Sequence, residues 1–318
     1  MPQNSSENKN RMGGRPLQKL KNNLIFFSAR VLIFILCLLP LILVSALGRL
    51  FGALVFALAG GERRKTLNSI RTAFPKNFDE KQADKLARSV WVRLGQNLFE
   101  TVQWLDWPQE KIASRVVRAR GKEYAEKALG KGKGVFIVTA HLGNWELLAG
   151  YLASSFPVSA VAQNLYDKRF DRIVTRFREN NLKVTMIKRG MALRGILNAL
   201  KQNRLVLALC DQDSGSEGVF VPFFGKPAWT QSGVARIALK TGAALVPAFM
   251  VRGTDGNFEM QMDREIEVSR TGDLEKDVLE TVRRYTEVIE SHVKAYPDQW
   301  VWFHERWRTR PENKKTTP

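Results

Sequence analysis

The feature of this sequence that most constrains its fold is an apolar run at residues 134–140, GVFIVTA. A short run without polar alternation is typical of a strand that is buried on both faces, as in a parallel sheet. Residues 144–156 then place apolar side chains at helical spacing, so the chain turns from strand to helix between the two segments. Ligands of α/β proteins bind at such strand ends, which makes this turn a candidate functional site.

Strand-like and helix-like segments alternate through the rest of the chain. The predicted strands cover residues 158–161, 183–187, 205–210, 244–251 and, as an edge strand, 258–262. The predicted helices cover residues 62–107, 122–129, 167–181, 191–202, 231–241 and 274–296. This alternation predicts a single α/β domain with a mixed, largely parallel sheet flanked by helices.

The turn after the apolar run carries a histidine and a carboxylate, His141 and Glu146. Positions five apart on one helix point about 140° away from each other, so these side chains meet only if His141 lies before the helix. Gly143 gives the backbone the freedom for that corner. Glu146 would then orient the imidazole and stabilise its charged form. The alternative is a structural histidine that caps a buried strand, and the motif alone leaves both interpretations open.

The amino-terminal part of the chain divides into a polar segment and an apolar one. Residues 1–23 are polar and basic, which predicts a disordered tail, and residues 31–48 carry no charged side chain, enough to enter or just span a bilayer core. We expect residues 24–61 to form a membrane anchor, either transmembrane or re-entrant. Basic residues on both flanks favour the re-entrant form, with the domain on the cytoplasmic side. The globular domain then covers residues 62–311, before a basic tail at 312–318.

The formal net charge of +19 implies a polyanionic partner, such as nucleic acid, anionic lipid or a phosphorylated substrate. Nucleic-acid binding is disfavoured, because the basic residues are dispersed and most aromatic residues fall in apolar periodic runs. The two cysteines, Cys37 and Cys210, lie in apolar runs without metal-type spacing. We therefore expect neither a disulfide framework nor a zinc site.

Basic residues recur where predicted strands end and helices begin, a pattern that suits a phosphorylated ligand, with generic surface charge as the alternative. Arg189 and Arg194 lie at such a boundary, and Arg178 lies in the basic helix predicted at residues 167–181. Two carboxylates, Asp211 and Asp213, follow the predicted strand at residues 205–210, and they could position a base, cap a turn or bind metal. We expect no metal, because no third acidic ligand or second histidine is close in sequence.

An aromatic segment flanked by glycine and proline, at residues 218–230, cannot form a regular helix. It either lines an apolar cleft or belongs to the core. The candidate cleft residues in it are Phe220, Phe223 and Phe224.

In this combination and order, the segments resemble the bacterial lipid A late acyltransferases of the lauroyl and myristoyl type, within the lysophospholipid acyltransferase class. The resemblance covers nearly the whole domain. The shared features are the apolar anchor, the basic stretch at residues 62–75, the turn from His141 to Glu146, the Arg178 region, Asp211 with Gln212, and residues 221–230 and 302–311.

The resemblance implies an enzyme that moves a fatty acyl group from an acyl carrier protein thioester, in preference to coenzyme A, to a hydroxyl of a phosphorylated glycolipid, a lipid A precursor. His141 would be the general base with support from Glu146, and no cofactor would be needed. Backbone N–H groups of Gly143 and Asn144 would face the developing oxyanion. Arg178, Arg189 and Arg194 would bind acceptor phosphates. The enzyme would lie at the cell inner membrane with its catalytic domain on the cytoplasmic side.

Two alternatives stay open for the acceptor and the class of protein. This family usually has an arginine where Gln163 stands, so a lysophospholipid or another membrane lipid is the alternative acceptor. The alternative from another class is a basic nucleic-acid-binding membrane protein. A serine hydrolase is disfavoured because the chain has no Gly-x-Ser-x-Gly turn, and a zinc protease because the motif is not His-Glu-x-x-His.

Overall fold

The computed structural model describes residues 14–75, 78–162 and 165–313. The strands are β1 (Val116–Arg120), β2 (Val135–Thr139), β3 (Val158–Ala162), β4 (Thr185–Lys188), β5 (Leu205–Leu209), β6 (Gly218–Phe223), β7 (Lys226–Gln231), β8 (Ala244–Arg252) and β9 (Phe258–Met262). The α-helices are α1 (Gly14–Leu38), α2 (Leu41–Leu58), α3 (Gly60–Ala73), α4 (Glu80–Gln103), α5 (Gln109–Ala113), α6 (Lys122–Leu129), α7 (Trp145–Ala153), α8 (Lys168–Arg176), α9 (Ala192–Lys201), α10 (Gly233–Thr241) and α11 (Leu274–Ala295).

A seven-stranded sheet with the order β1-β9-β8-β2-β5-β3-β4 forms the centre of the domain, and β6 and β7 form a separate antiparallel hairpin. Neighbouring strands of the sheet run parallel except for β8 and β9. The predicted α/β domain with a mixed, largely parallel sheet is therefore confirmed. The prediction that β9 lies at the edge is wrong, because β1 pairs with its outer side. Most side chains of β1 are exposed, so its sequence lacks the apolar pattern that would predict a strand.

The central strand β2 is covered on both sides, and all five of its residues are buried. Phe136 and Val138 pack into the core on one face of the sheet, and Val135 and Ile137 pack into the core on the other. Successive side chains of a strand point to opposite faces, so a strand covered on both sides requires an uninterrupted apolar run. Burying each of these four side chains stabilises the fold by about 1.5–3 kcal/mol.

The strands β2 and β5 end together. They are parallel neighbours, and Thr139 is paired with Leu209 at their carboxyl ends. The Cys210 N–H donates to the Thr139 carbonyl oxygen at 3.0 Å, which continues the pairing past the last strand residue. His141 and Asp211 are each the second residue after the end of their strand, so the register of the sheet brings two residues that are distant in sequence to one edge.

Two amino-terminal helical segments, Gln18–Leu38 and Leu41–Leu58, are long and apolar enough to cross a membrane. The first belongs to α1, which begins at Gly14, so the structure extends the helix into residues that we expected to be a disordered tail. Residues 1–13 of that predicted tail and residues 314–318 of the carboxyl-terminal one lie outside the described residues.

The second apolar helix, α2, packs along α4 through glycines. A Cβ built on Gly52 would lie 2.0 Å from the Trp91 carbonyl oxygen, and one built on Gly95 would lie 2.3 Å from the carbonyl oxygen of Gly48. The two helix backbones approach too closely for any side chain at these positions. This contact holds the backbone of α2 directly against the backbone of α4.

Candidate active site

The turn after β2 depends on a glycine. Gly143 has a φ of 62°, and a Cβ built on it would lie 1.8 Å from the Met250 carbonyl oxygen in β8. The backbone therefore passes β8 too closely for a side chain, as the corner predicted from the sequence requires. Asn144 then caps α7, because its side chain accepts a hydrogen bond from the Leu147 N–H at 2.9 Å.

His141 faces Asp211 across the ends of β2 and β5. Nδ1 of His141 lies 2.9 Å from Oδ1 of Asp211, and the His141 backbone N–H donates to Oδ2 at 3.0 Å. The indole N–H of Trp300 donates to the same Oδ2 at 2.8 Å. The Asp211 side chain is 1% exposed, so its carboxylate is fixed in place by protein donors. An ionised carboxylate only accepts hydrogen bonds, so Nδ1 of His141 carries a proton.

The shifts in pKa of the two partners agree with each other. Burial alone would lower the pKa of His141, but the charge and hydrogen bond of Asp211, with a further contribution from the charge of Glu146, raise it above its ordinary value. Burial alone would raise the pKa of Asp211, but the imidazole and backbone N–H of His141 and the indole of Trp300 hold it below its ordinary value. The pair is therefore an ionised carboxylate beside an imidazole of increased basicity.

The second ring nitrogen of His141, Nε2, has no hydrogen-bond partner in the part of the chain that the structure describes. The side chain is 23% exposed, and the ring of Trp145 packs against it edge-on with a centroid distance of 5.1 Å. An imidazole that is fixed at Nδ1 and accessible at Nε2 has the geometry of a general base.

Glu146 pairs with Arg178 and not with the imidazole. Arg178 donates from Nε to Oε2 of Glu146 at 2.9 Å and from Nη2 to Oε1. Burial lowers the pKa of Arg178, but the hydrogen bonds and charge of Glu146 raise it above its ordinary value. Two expectations change accordingly. The carboxylate in contact with Nδ1 of His141 is Asp211 and not Glu146, and two of the three guanidinium nitrogens of Arg178 donate to Glu146.

The backbone amides of the turn are also engaged within the fold. The Gly143 N–H donates to the Gln299 carbonyl oxygen at 2.9 Å, and the Asn144 N–H donates to the Met250 carbonyl oxygen at 3.0 Å. We expected these two N–H groups to face a developing oxyanion. The structure differs from that expectation, because both donors are already used to hold the turn against neighbouring segments.

The remaining arginine candidates lie near the far edge of the sheet. Arg194 is exposed on α9, which follows β4, and β4 stands three strands away from β2. At ordinary strand spacing that is about 14 Å from the His141 strand. Arg189 lies in the short helical segment Arg189–Met191 before α9, and its side chain is outside what the structure describes, as is the whole of Gln163.

The aromatic segment forms the β6–β7 hairpin. Phe223 is completely buried, and its ring packs against Trp300 at 5.6 Å and against Phe224 at 5.0 Å. The structure thus places Phe223 in the core, one of the two interpretations that the sequence allowed. Phe224 and Phe220 are partly exposed, the latter packed against Trp229 at 4.9 Å, and these two stay candidates for a cleft.

The site also contains residues that sequence reasoning does not identify. Trp300 holds Asp211 and Gln299 holds the turn, and Asn97 donates to the Gly143 carbonyl oxygen at 2.9 Å. The only sequence signal among them is that Trp300 begins an aromatic-rich stretch. Within residues 14–75, 78–162 and 165–313, no group of three or more His, Cys, Asp or Glu side chains could hold a metal ion.

Comparison with known proteins gives a family match across the chain. The model of the family described as bacterial lipid A biosynthesis acyltransferase matches residues 13–309. The lipid A biosynthesis palmitoleoyltransferase of Escherichia coli (strain K12) is 27% identical over 276 residues, which cover 86% of this chain and 87% of that protein. The lipid A biosynthesis lauroyltransferase of the same strain is also 27% identical over 276 residues, 86% of this chain and 88% of its own.

A more distant similarity extends to another glycolipid. The phosphatidylinositol mannoside acyltransferase of Mycolicibacterium smegmatis is 26% identical over 184 residues, which cover 57% of this chain and 59% of that protein. All three relatives are acyltransferases by name.

Proposed function

Because the chain belongs to the bacterial lipid A biosynthesis acyltransferase family, we propose that it moves a fatty acyl group from an acyl carrier protein thioester to a hydroxyl of a lipid A precursor. Acyl transfer in lipid A biosynthesis follows from the family, and the donor, the acceptor hydroxyl and the residue roles are our assignment. The observation that carries this assignment is the His141 imidazole, held at Nδ1 by a buried carboxylate and accessible at Nε2.

In the proposed reaction, Nε2 of His141 removes the proton of the acceptor hydroxyl while its oxygen attacks the thioester carbonyl carbon. The C–O bond forms first, and collapse of the tetrahedral intermediate then breaks the C–S bond. The departing thiolate takes the proton from the imidazolium. Asp211 keeps Nδ1 protonated and stabilises the imidazolium by its charge. Because a thioester is already activated, the reaction requires neither a covalent acyl-enzyme nor a cofactor.

We assign the Glu146–Arg178 pair to the wall of the site beside His141. The charge of Glu146 contributes to the raised pKa of His141, and the guanidinium of Arg178 opposes that charge. Nη1 of Arg178 has no hydrogen bond within the described ranges, so this edge of the fork can still donate to an acceptor phosphate. Arg194 and Arg189 would bind a second phosphate farther along the same edge of the sheet.

The membrane arrangement that we propose follows from how α1 and α2 contact the domain. Phe26 in α1 packs on Phe170 in α8 with a centroid distance of 5.1 Å, and Sγ of Cys37 near the end of α1 lies 3.9 Å from the Val102 carbonyl oxygen in α4. The helix is therefore held to the domain near both ends, and α2 lies along α4.

Helices attached to one charged domain in this way fit a shallow insertion into one leaflet better than two upright spans. The outward side chains of α2 are apolar and exposed, among them Leu50, Leu54 and Leu58. We therefore place the anchor at residues 14–58, the domain after it, and the enzyme on the cytoplasmic side of the inner membrane. The net charge of +19 favours an anionic bilayer, a phosphorylated acceptor and an acidic carrier protein alike.

A second candidate acceptor is a membrane lipid other than a lipid A precursor, such as another phosphoglycolipid or a lysophospholipid. The observation that favours it is the similarity to a phosphatidylinositol mannoside acyltransferase over more than half of the chain. The same His141 chemistry applies to either acceptor, because both offer a hydroxyl beside phosphate.

The catalytic assignment is tested with His141→Ala. We expect the purified variant to fold and bind vesicles but to lose acyl transfer from acyl carrier protein by at least about 10²–10⁴-fold, the ordinary contribution of a general base. The control is His292→Ala, since His292 pairs with Asp263 away from the turn and should leave turnover close to wild type. Near-normal turnover of His141→Ala would remove the general-base role.

The acceptor is tested by mass spectrometry of the lipids of a deletion strain. A lipid A species that lacks one secondary acyl chain, and regains it on complementation, supports the lipid A precursor. Unchanged lipid A with altered phospholipids or other glycolipids would overturn that acceptor and support the second candidate.

A further inference from the structure

A buried ion pair lies behind the active-site turn, between α4 and the end of β8. Arg252 donates from Nη1 and Nη2 to the two oxygens of Glu100, at 3.1 and 2.8 Å. The side chains are 1% and 0% exposed, respectively. Burying two charges is favourable only when each is paired and hydrogen-bonded, so the position of the guanidinium is tightly determined.

Arg252 also fixes the orientation of a neighbouring amide. Its Nη2 donates to Oδ1 of Asn97 at 2.6 Å, and Nδ2 of Asn97 donates to the Gly143 carbonyl oxygen at 2.9 Å. If the amide were flipped, its NH₂ group would face the guanidinium and its oxygen would face the carbonyl, which are two repulsive contacts. The charge of Arg252 therefore directs the donor of Asn97 to the turn that follows His141.

The peptide group after Gly143 is held on both sides by different segments. The Asn144 N–H is held by β8, and the Gly143 carbonyl oxygen is held by Asn97 from α4. Gly143 lies in the left-handed region at a φ of 62°, and as a glycine it has no side chain of its own to stabilise this conformation. The amide of Asn97 is thus a side-chain clamp on the turn that presents the imidazole.

The same network reaches the membrane helix α2. Ser45 of α2 donates its hydroxyl to Oε1 of Glu100, which also accepts from Nε2 of Gln96 at 3.1 Å. A continuous series of hydrogen bonds therefore runs from Ser45 through Glu100, Arg252 and Asn97 to the Gly143 carbonyl oxygen. It joins an apolar helix that we place in the bilayer to the backbone of the catalytic turn.

We infer that Asn97 is a positioning residue for acyl transfer, which holds the Gly143 peptide so that His141 meets the acceptor, and that the buried Arg252–Glu100 pair sets its orientation. This inference rests on the proposed role of His141. A misplacement of about 1 Å at a reacting group can cost roughly 10²-fold in rate. Loss of the clamp should consequently reduce kcat while the binding of either substrate is little affected.

The variant that separates positioning from folding is Asn97→Asp. It has nearly the same shape, and it keeps an oxygen for Arg252 but places a second oxygen against the Gly143 carbonyl. Removal of Arg252 or Glu100 would leave an unpaired buried charge and endanger folding, so neither serves as the main test. The matched control is Thr66→Val. It removes a buried hydrogen bond that Trp91 donates to Thr66. Trp91 lies in α4 like Asn97, but this bond is not part of the network that reaches the turn.

Hydrogen exchange measured by mass spectrometry tests the clamp without any substrate. We expect Asn97→Asp to speed exchange in peptides covering residues 142–148 by about fivefold to tenfold, the effect of one lost hydrogen bond, with peptides of β5 unchanged. Thr66→Val should leave the turn as in the wild type. If exchange in the turn is the same in Asn97→Asp as in the wild type, the inference is overturned, whatever the enzyme acylates.

Steady-state kinetics tests the consequence for catalysis. With a lipid A precursor and an acyl carrier protein donor, we expect kcat of Asn97→Asp to fall about 10- to 100-fold with KM for both substrates within about threefold. A kcat within twofold of the wild type, or an equal loss in Thr66→Val, would show that Asn97 is only structural. A wild-type enzyme that does not use these substrates would refute the proposed function, and the exchange result would still decide whether Asn97 holds the turn.

Discussion

Two carboxylates lie beside His141, and they differ in almost every respect. Asp211 is buried at the end of β5, and it accepts hydrogen bonds from the imidazole, the His141 backbone and Trp300. Glu146 is close in sequence and partly exposed, and it is paired through both oxygens with Arg178. The first touches the imidazole directly, whereas the second acts on it through its charge.

The difference shows that closeness in sequence does not select the partner of the His141 imidazole. His141 leaves β2 beside the end of β5, so Nδ1 meets the residue that follows the neighbouring strand. Glu146 lies in the first turn of α7, where its side chain meets Arg178 of the π-helical turn at Phe177–Asn181. The sequence allowed a contact between Glu146 and His141 only if His141 lay before the helix. His141 does lie there, but Glu146 pairs with Arg178 instead.

The largest effect that distinguishes the two carboxylates is expected for Asp211→Asn. The amide can hold Nδ1 in the wrong tautomer and removes the charge that stabilises the imidazolium, so kcat should fall about 10³- to 10⁴-fold. The matched control is Asp213→Asn, because Asp213 is equally buried but accepts from Thr309 and Gly215 instead of His141. A kcat of Asp211→Asn within tenfold of the wild type would contradict the assignment of Asp211.

A smaller effect is expected when the Glu146–Arg178 pair is broken. Arg178→Met leaves the Glu146 carboxylate without its partner in a partly buried site, and we expect kcat to fall about 10- to 100-fold. The double variant with Glu146→Gln should recover part of this loss, because the unpaired charge is then absent.

A double-mutant cycle on kcat measures how strongly this pair is coupled. Additive losses in the two single variants would mean that the pair does not act as a unit. They would favour independent contacts of Arg178 with the acceptor.

The smallest expected effect is a shift in the pH profile. His141 must be neutral at Nε2 to act as a base, so kcat/KM should rise with pH through the pKa of the free enzyme. The charges of Asp211 and Glu146 raise that pKa, and removing either one lowers it. The acid limb should therefore move to lower pH in Glu146→Gln, and farther in Asp211→Asn where residual activity allows measurement.

Glu179→Gln is the control for the pH profile, because this exposed carboxylate has no part in the raised pKa of His141. Its acid limb should coincide with that of the wild type. An acid limb in Glu146→Gln that stays in place, or moves to higher pH, would exclude the charge of Glu146 as a contributor.

Much of the architecture could be predicted from local patterns. The apolar run predicts β2, since a strand covered on both faces leaves no polar side chain in the middle of the sheet. The helix α6 has the bounds predicted for it, and Gly143 forms the predicted corner. The strand β1 could not be predicted in this way, because its exposed side chains carry no apolar period.

The candidate site was predictable only in part. His141 stands out because it follows a buried strand, and Asp211 stands out as a polar residue at another strand end. Their pairing could not be read from the sequence, because it requires that β5 be the neighbour of β2. Asn97 carries no signal at all, because a polar residue inside an amphipathic helix is ordinarily solvated and only its contact with the turn reveals its role.

The sequence by itself determined an α/β domain with an apolar amino-terminal helix, and it placed a histidine on a strand-to-helix turn. These properties are local, because strand burial, helical period and the freedom of glycine act within a few residues. The tertiary structure decided which carboxylate holds the imidazole, which one Arg178 engages, and which helix supports the turn. These choices depend on strand order and helix packing, which bring together groups that the chain itself keeps far apart.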